Sequence, residues 1–227
     1  MPRPIPTRIF HITPIANLAK ICAAGEICSK NVLRSAGEAH ESIAFDSIQV
    51  RRAAKAVTCA PHGVLHDYVP FYFAPRSPML DTIRRGNIPG CPWTQEDIVH
   101  IESTVEAVGA TDAQFVIYPM NAALDFSLEC HNVLAGLERV DWPLLFENPL
   151  LGGFAKYYFS RPDPPRHAMR MEKRMAEFLV LSRFPLASVT SIGVMNNAKQ
   201  TAVASVLAKH GVQLPVTVQP NWYFLGQ

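Results

Sequence analysis

Three sets of residues in this chain have types and spacings suited to chemistry. Glu177 heads AEFLVLS, a run whose apolar content reads as a buried strand. A carboxylate at that entrance is costly unless it is paired or used. It either marks the wet end of the strand, paired with Lys173 or Arg174, or serves a reaction centre. Arg51 and Arg52 follow an apolar stretch in SIQVRRAAKAV; such a pair forms a solvated helix face or holds an anion. His11 and Thr13 close RIFHIT, where a histidine is a satisfied structural residue, a ligand or a base. Beside these stands HDYVPFYFAPRSPML, His66 to Leu80, with four aromatics and three prolines in fifteen residues. Alternation in YVPFYF sends Phe71 and Phe73 inward and leaves Tyr68 and Tyr72 facing a cleft.

The elements that must position these groups follow from local patterns. RIFHIT, IVHIES, AQFVIYP, AEFLVLS and SVTSIGVM read as strands, and LPVTVQPNWYF as a terminal strand. Thr13 is the expected N-cap of a helix PIANLAKICAAG, with Pro14 at its first position and Gly25 closing it. SAGEAHESIAFDSIQVRRAAKAV is a loop feeding a short helix, HNVLAGLERV a further helix, and NNAKQTAVASVLAKHG a helix ending on Gly211. GGFAKYYFSRPDPPRHAMR reads as a loop by its Gly, Pro and Ser content. Strands and helices mix without a regular βαβ alternation, so the fold class is α+β rather than doubly wound. No repeat or linker divides the chain, and residues 1–227 are expected to form a single domain.

Composition sets outer limits. With 227 residues, 48% hydrophobic and 18% charged, the chain can bury a large core. A net charge of +2 neither demands nor excludes nucleic acid. Five cysteines with no C-x-x-C pair argue against a zinc site or a disulfide framework and suggest a reducing cytoplasm. No run approaches eighteen apolar residues, the N-terminus lacks an apolar signal core, and neither common nucleotide-binding glycine loop is present.

Taken in order, RIFHITPIANLAKICAAG, SIQVRRAAKAV, GVLHDYVPFYFAPRSPML, KRMAEFLV and the terminal NWYF resemble the DarT family of DNA ADP-ribosyltransferase toxins, from Ile9 to Phe224. The resemblance implies an ADP-ribosyltransferase-like core, a split, mostly antiparallel sheet clasping NAD+ with helices around it. It implies transfer of ADP-ribose from NAD+ to a base in single-stranded DNA, no metal, and a macrodomain antitoxin of the DarG type as partner. Glu177 matches the family's catalytic glutamate and would stabilise an oxocarbenium-like centre and take the proton of the attacking base. Arg52, with Arg51 as the alternative, would hold NAD's phosphate and help to activate the base. His11 and Thr13 match a histidine–x–threonine that anchors the ribose and nicotinamide amide; Asn17, Tyr68 and Phe71 join them as cofactor contacts. Tyr72, Arg76, Ser77 and Met79 would meet DNA, with Arg84 and Arg85 near phosphates, as would Tyr157, Tyr158, Arg166 and Arg170 of the loop before the catalytic strand. That loop also carries Lys156, Phe159 and Arg161. Stacking of a base on an aromatic ring, worth roughly 1–3 kcal/mol, would account for the crowded aromatics. Thymine, the commoner target of such toxins, is the favoured base; FVIYPMN departs from the family's phenylalanine–threonine–aspartate run ending in histidine, which favours guanine a little as the alternative. Transfer to RNA or protein, or a silent binding module, are the competing readings.

Overall fold

The apolar run Arg8–Pro14, buried on both faces, forms the first strand (β1) of a seven-stranded sheet in the computed structural model, which describes residues 2–146 and 169–225. The other strands are β2 (Glu26–Cys28), β3 (Tyr68–Tyr72), β4 (Ile98–Thr104), β5 (Phe115–Tyr118), β6 (Glu177–Leu181), β7 (Arg183–Pro185), β8 (Ser191–Val194) and β9 (Val216–Val218). The described α-helices are α1 (Leu18–Ala24), α2 (Lys30–Ser35), α3 (Asp46–Ala54), α4 (Pro78–Arg84), α5 (Val105–Gly109), α6 (Trp142–Phe146), α7 (Arg170–Arg174) and α8 (Asn197–Lys209). The sheet runs β5-β6-β3-β1-β4-β8-β9, antiparallel throughout except for the β8–β9 pair, and β2 and β7 form a separate ribbon.

The sheet is really two halves. β3 and β6 share five register pairs and β1 and β4 share seven, but β1 and β3 meet at one, Phe10 opposite Tyr72. Beyond that rung the seam opens, and a side chain spans it: His11 Nδ1–H donates to the Pro70 carbonyl at 2.9 Å. One face of the sheet packs Ile9, Phe71, Phe73, Val99, Ile101, Phe178 and Val180 against α1 and α8. On the other face, Phe10, Ile12, Ile98, Leu80 and Ile83 form a second cluster, sealed by Trp222, Tyr223 and Phe224. Gly193 lets the Trp222 ring lie close, since a Cβ there would fall 2.0 Å from Trp222 Cζ3.

Several expectations are corrected. Thr13 and Pro14 belong to β1, not to a helix start; a 3₁₀ turn over Ile15–Asn17 leads into α1, which does end on Gly25 in the left-handed conformation. HNVLAGLERV is helical only as a 3₁₀ segment, Leu134–Arg139, and the terminal strand stops at Val218, with NWYF turning back as a plug. Cys59 and Cys130 are bonded, against the inference from an odd cysteine count. Folding sets the connection after α3 beside the segment after β5, with Cα atoms 5.8 Å apart across 71 residues of sequence. No described helix is long and apolar enough to cross a membrane.

Candidate active site

Glu177 is the first residue of β6 and is 1% exposed. It pairs with neither Lys173, which reaches Asp141, nor Arg174, which donates to the Leu144 carbonyl. Its partner is Arg52, 125 residues earlier. Arg52 Nη1 donates to Oε1 at 3.1 Å and Nη2 to Oε2 at 2.9 Å, a bidentate fork. The Ala122 N–H adds a third donor to Oε1 at 3.0 Å. The carboxylate is thereby held in a fixed orientation. Burial would lower the Arg52 pKa, but the Glu177 charge and its hydrogen bonds outweigh that and hold the guanidinium above its ordinary value. Register places Tyr72 and Tyr118 on either side of Glu177, on the same face. The Tyr118 phenol is pushed up chiefly by burial, and so stays neutral beside the carboxylate.

This group lies at a cavity of about 590 Å³, a volume suited to a cofactor. His11, Thr13, Asn17, Arg52, Tyr68, Tyr72, Met79 and Glu177 all line it, so the sequence candidates from four distant segments converge. His11 lies below its ordinary pKa because it is buried; with Nδ1–H given to Pro70, its Nε2 is left as an acceptor. The Asn17 amide is wholly used in clasping: Nδ2 donates to Thr13 Oγ1 and to the Glu41 carbonyl, both at 3.0 Å, and Oδ1 accepts the Glu41 N–H at 2.9 Å. It thus pins the 39–44 wall of the cavity to β1. Tyr68 is spent otherwise, its hydroxyl donating to the His62 carbonyl and its pKa pushed up to about 12 by burial.

Other candidates fall elsewhere. Arg51 is exposed on α3 and lies outside the cavity lining. Phe71 is wholly buried against Phe184 in the core, as alternation predicts, rather than on the cofactor side. Ser77 is also fully buried, its hydroxyl capping α4 through the Leu80 N–H. Arg76 is half-buried beside it, outside the lining, and Arg84 and Arg85 both bind Asp81. Arg170 opens α7 and is half-buried. Lys156, Tyr157, Tyr158, Phe159, Arg161 and Arg166 lie outside the described residues. Three contributors carry no recognisable sequence signal: the Ala122 N–H, Lys30 and His66. His66 lines the cavity, with Nε2 at 3.1 Å from Gln49 Oε1, and lies at about 4 because of burial and then the nearby charges of Lys30 and Arg52. Among the described residues there is no cluster of three or more His, Cys, Asp or Glu able to hold a metal.

A fixed, dry carboxylate at the mouth of a cofactor-sized cavity can stabilise a developing cation and accept a proton. Comparison with known proteins agrees with that chemistry. The family model described as "DarT: ssDNA thymidine ADP-ribosyltransferase" matches residues 10–224. The chain is 34% identical over 223 residues to a DNA ADP-ribosyl transferase of Thermus aquaticus, covering 97% of this chain and 90% of the relative. It is similar in structure to Thermus sp. 2.9 DarT in complex with ADP-ribosylated ssDNA, with TM-score 0.85, 32% identity and 99% of each chain covered. The same protein in complex with NAD+ matches with TM-score 0.79 and 31% identity over 98% of this chain and 100% of that one.

Proposed function

The chain belongs to the DarT family of ssDNA thymidine ADP-ribosyltransferases and is an NAD-dependent DNA ADP-ribosyltransferase, and we propose that its own acceptor is thymidine in single-stranded DNA. The observation that carries the reading is the buried Glu177 carboxylate, gripped by Arg52 and Ala122 at the edge of the cavity. NAD+ lies in the cavity with its nicotinamide ribose toward Glu177. The bond from the ribose anomeric carbon to nicotinamide breaks, and nicotinamide leaves with the electron pair. The negative carboxylate stabilises the oxocarbenium-like centre left behind. A ring nitrogen of the base attacks that carbon, and its proton passes to Glu177. His11 and Thr13 orient the nicotinamide ribose, Asn17 holds the wall, and Arg52 fixes the carboxylate. Tyr72 and Met79 present flat, apolar surface to the base. The whole described chain acts as one catalytic unit, supported by the family match from residue 10 to 224.

The base nitrogen engaged in Watson–Crick pairing is neither free to attack nor able to stack, which supports a single-stranded acceptor. A macrodomain antitoxin that removes the modification is the partner we propose, and the cytoplasm the place of action, since NAD+ and single-stranded DNA meet there. The test is incubation with NAD+ and short oligonucleotides, alone and annealed, read by mass spectrometry. One ADP-ribose on thymidine of the single strand, suppressed by the complement, is expected. Labelling of guanine alone would move the base assignment, and labelling of protein alone would remove the DNA reading.

A further inference from the structure

Arg52 turns its fork toward Glu177, with one N–H of each terminal nitrogen committed to the carboxylate. The other cations of the cavity lining are therefore candidates for the charge of NAD's diphosphate. Most of these are engaged. Lys20 Nζ bonds the Ala39 carbonyl, and Arg183 pairs with Glu26. Lys30 differs: half-buried at the start of α2, it lines the cavity and makes no hydrogen bond or ion pair with any described residue. We propose that Lys30, with His66 beside it, is the diphosphate-binding residue of the NAD+ site. This rests on the NAD-dependent reading above.

The electrostatics of the wall agree. Lys30 lies below its ordinary pKa because it is desolvated and then because Arg52 is near, with only Asp46 pulling the other way. His66 and His40 are both held down by burial first and by Lys30 next. The acid nearest His66, Asp67, is already occupied by Asn31 Nδ2 at 2.7 Å and the Val64 N–H at 2.8 Å. Asp46 and Glu41 act on Lys30 and His40 from a distance, but no acid among the described residues forms an ion pair with the Lys30 ammonium, which stands in a partly dry cavity. A cation so placed favours an anionic ligand, and a lysine ammonium meets phosphate as a point charge.

The experiment measures binding of NAD+, ADP-ribose and the phosphate-free nicotinamide riboside to wild type, Lys30→Met and Lys30→Arg by calorimetry. Lys30→Met should weaken NAD+ and ADP-ribose alike, about 10- to 100-fold, and leave nicotinamide riboside unchanged; Lys30→Arg should recover most of the loss. In transfer assays the change should appear in KM for NAD+, not in KM for the oligonucleotide. The His66 imidazole, followed by NMR, should titrate higher in Lys30→Met, and higher in wild type once ADP-ribose is bound. Removing an unpartnered, half-buried cation should not lower thermal stability. If wild type binds ADP-ribose and Lys30→Met binds it equally well, the assignment is overturned. A shift in oligonucleotide KM alone overturns it in favour of a DNA phosphate. Failure of wild type to bind either NAD+ or ADP-ribose would instead strike the functional reading beneath it.

Discussion

Glu177 and Arg52 should behave as one unit in both folding and catalysis. Their side chains are 2% and 13% exposed, and their fork is made at 2.9 and 3.1 Å. In Glu177→Gln the amide nitrogen is a donor facing a donor, and the guanidinium is left buried without a counter-charge. Breaking such a pair from one side costs about 3–5 kcal/mol, or roughly 6–20 °C in Tm for a domain of this size. Arg52→Gln should cost a similar amount, because only the Ala122 N–H then supports the carboxylate. If the sites were independent, the double variant would lose about 6–10 kcal/mol, close to the whole stability of a typical domain. With both charges gone, the loss should stay near that of one single variant, an interaction energy of about 3 kcal/mol against the roughly 0.5 kcal/mol expected for unrelated sites. The assay is urea unfolding of wild type, both singles and the double, alongside transfer to an oligonucleotide. Each single should abolish transfer, and the double should be no worse than the singles. Arg51→Ala, on the exposed side of α3, is the control and should change stability by less than about 0.5 kcal/mol. Additive stability losses, or a Glu177→Gln protein with near-normal transfer, would refute the reasoning.

Asn17→Ala deletes three hydrogen bonds that tie Glu41 and Thr13 together, and so frees a wall of the cavity; KM for NAD+ should rise about tenfold or more while kcat falls less. Burial holds His100 at about 4, its Nε2–H bonded to the Pro75 carbonyl, whereas the unfolded chain titrates near 6.5. The unfolded state thus binds more protons between those values, so this stability is full above about pH 6.5 and is lost as pH falls toward 4, about 3 kcal/mol in all. His100→Gln should flatten that part of the urea-derived stability profile; an unchanged slope would exclude His100 as its source. Cys59 and Cys130 close a loop of 71 residues, so by chain entropy their reduction should cost up to about 4 kcal/mol, read as a lower urea midpoint with dithiothreitol and as no further effect in a Cys59→Ser/Cys130→Ser variant.

Strands were legible where short runs are rich in branched and aromatic residues. RIFHIT, IVHIES and AEFLVL alternate or run apolar, and they are β1, β4 and β6. The same alternation separated Tyr72 from Phe71 and Phe73, and the structure puts them on opposite faces of β3. Glu177 was legible because a carboxylate at the head of an apolar strand is an anomaly. Its true partner was not, since the 125 residues between it and Arg52 leave no local trace. The same holds for Cys59 and Cys130, whose pairing depends on two loops meeting in space. Thr13 misled because its neighbours Pro14 and Asn17 mimic a helix start, whereas pairing of Thr13 and Pro14 with β4 extends the strand past it. Ser77 was read as a ligand contact and is a helix cap, a role that S-P-M-L would have supported just as well.

The seam between β1 and β3 has a chemical origin in a single ring. In an antiparallel strand a residue's N–H and C=O point toward the same neighbour. Pro70 turns its carbonyl toward His11 on β1, so its nitrogen faces that way too, and it has no hydrogen to give. A proline is otherwise a poor tenant of an interior strand. Here it denies the two half-sheets their next rung, and an imidazole takes up the stranded acceptor. The cavity thus opens along a fault line that one residue type writes into the backbone.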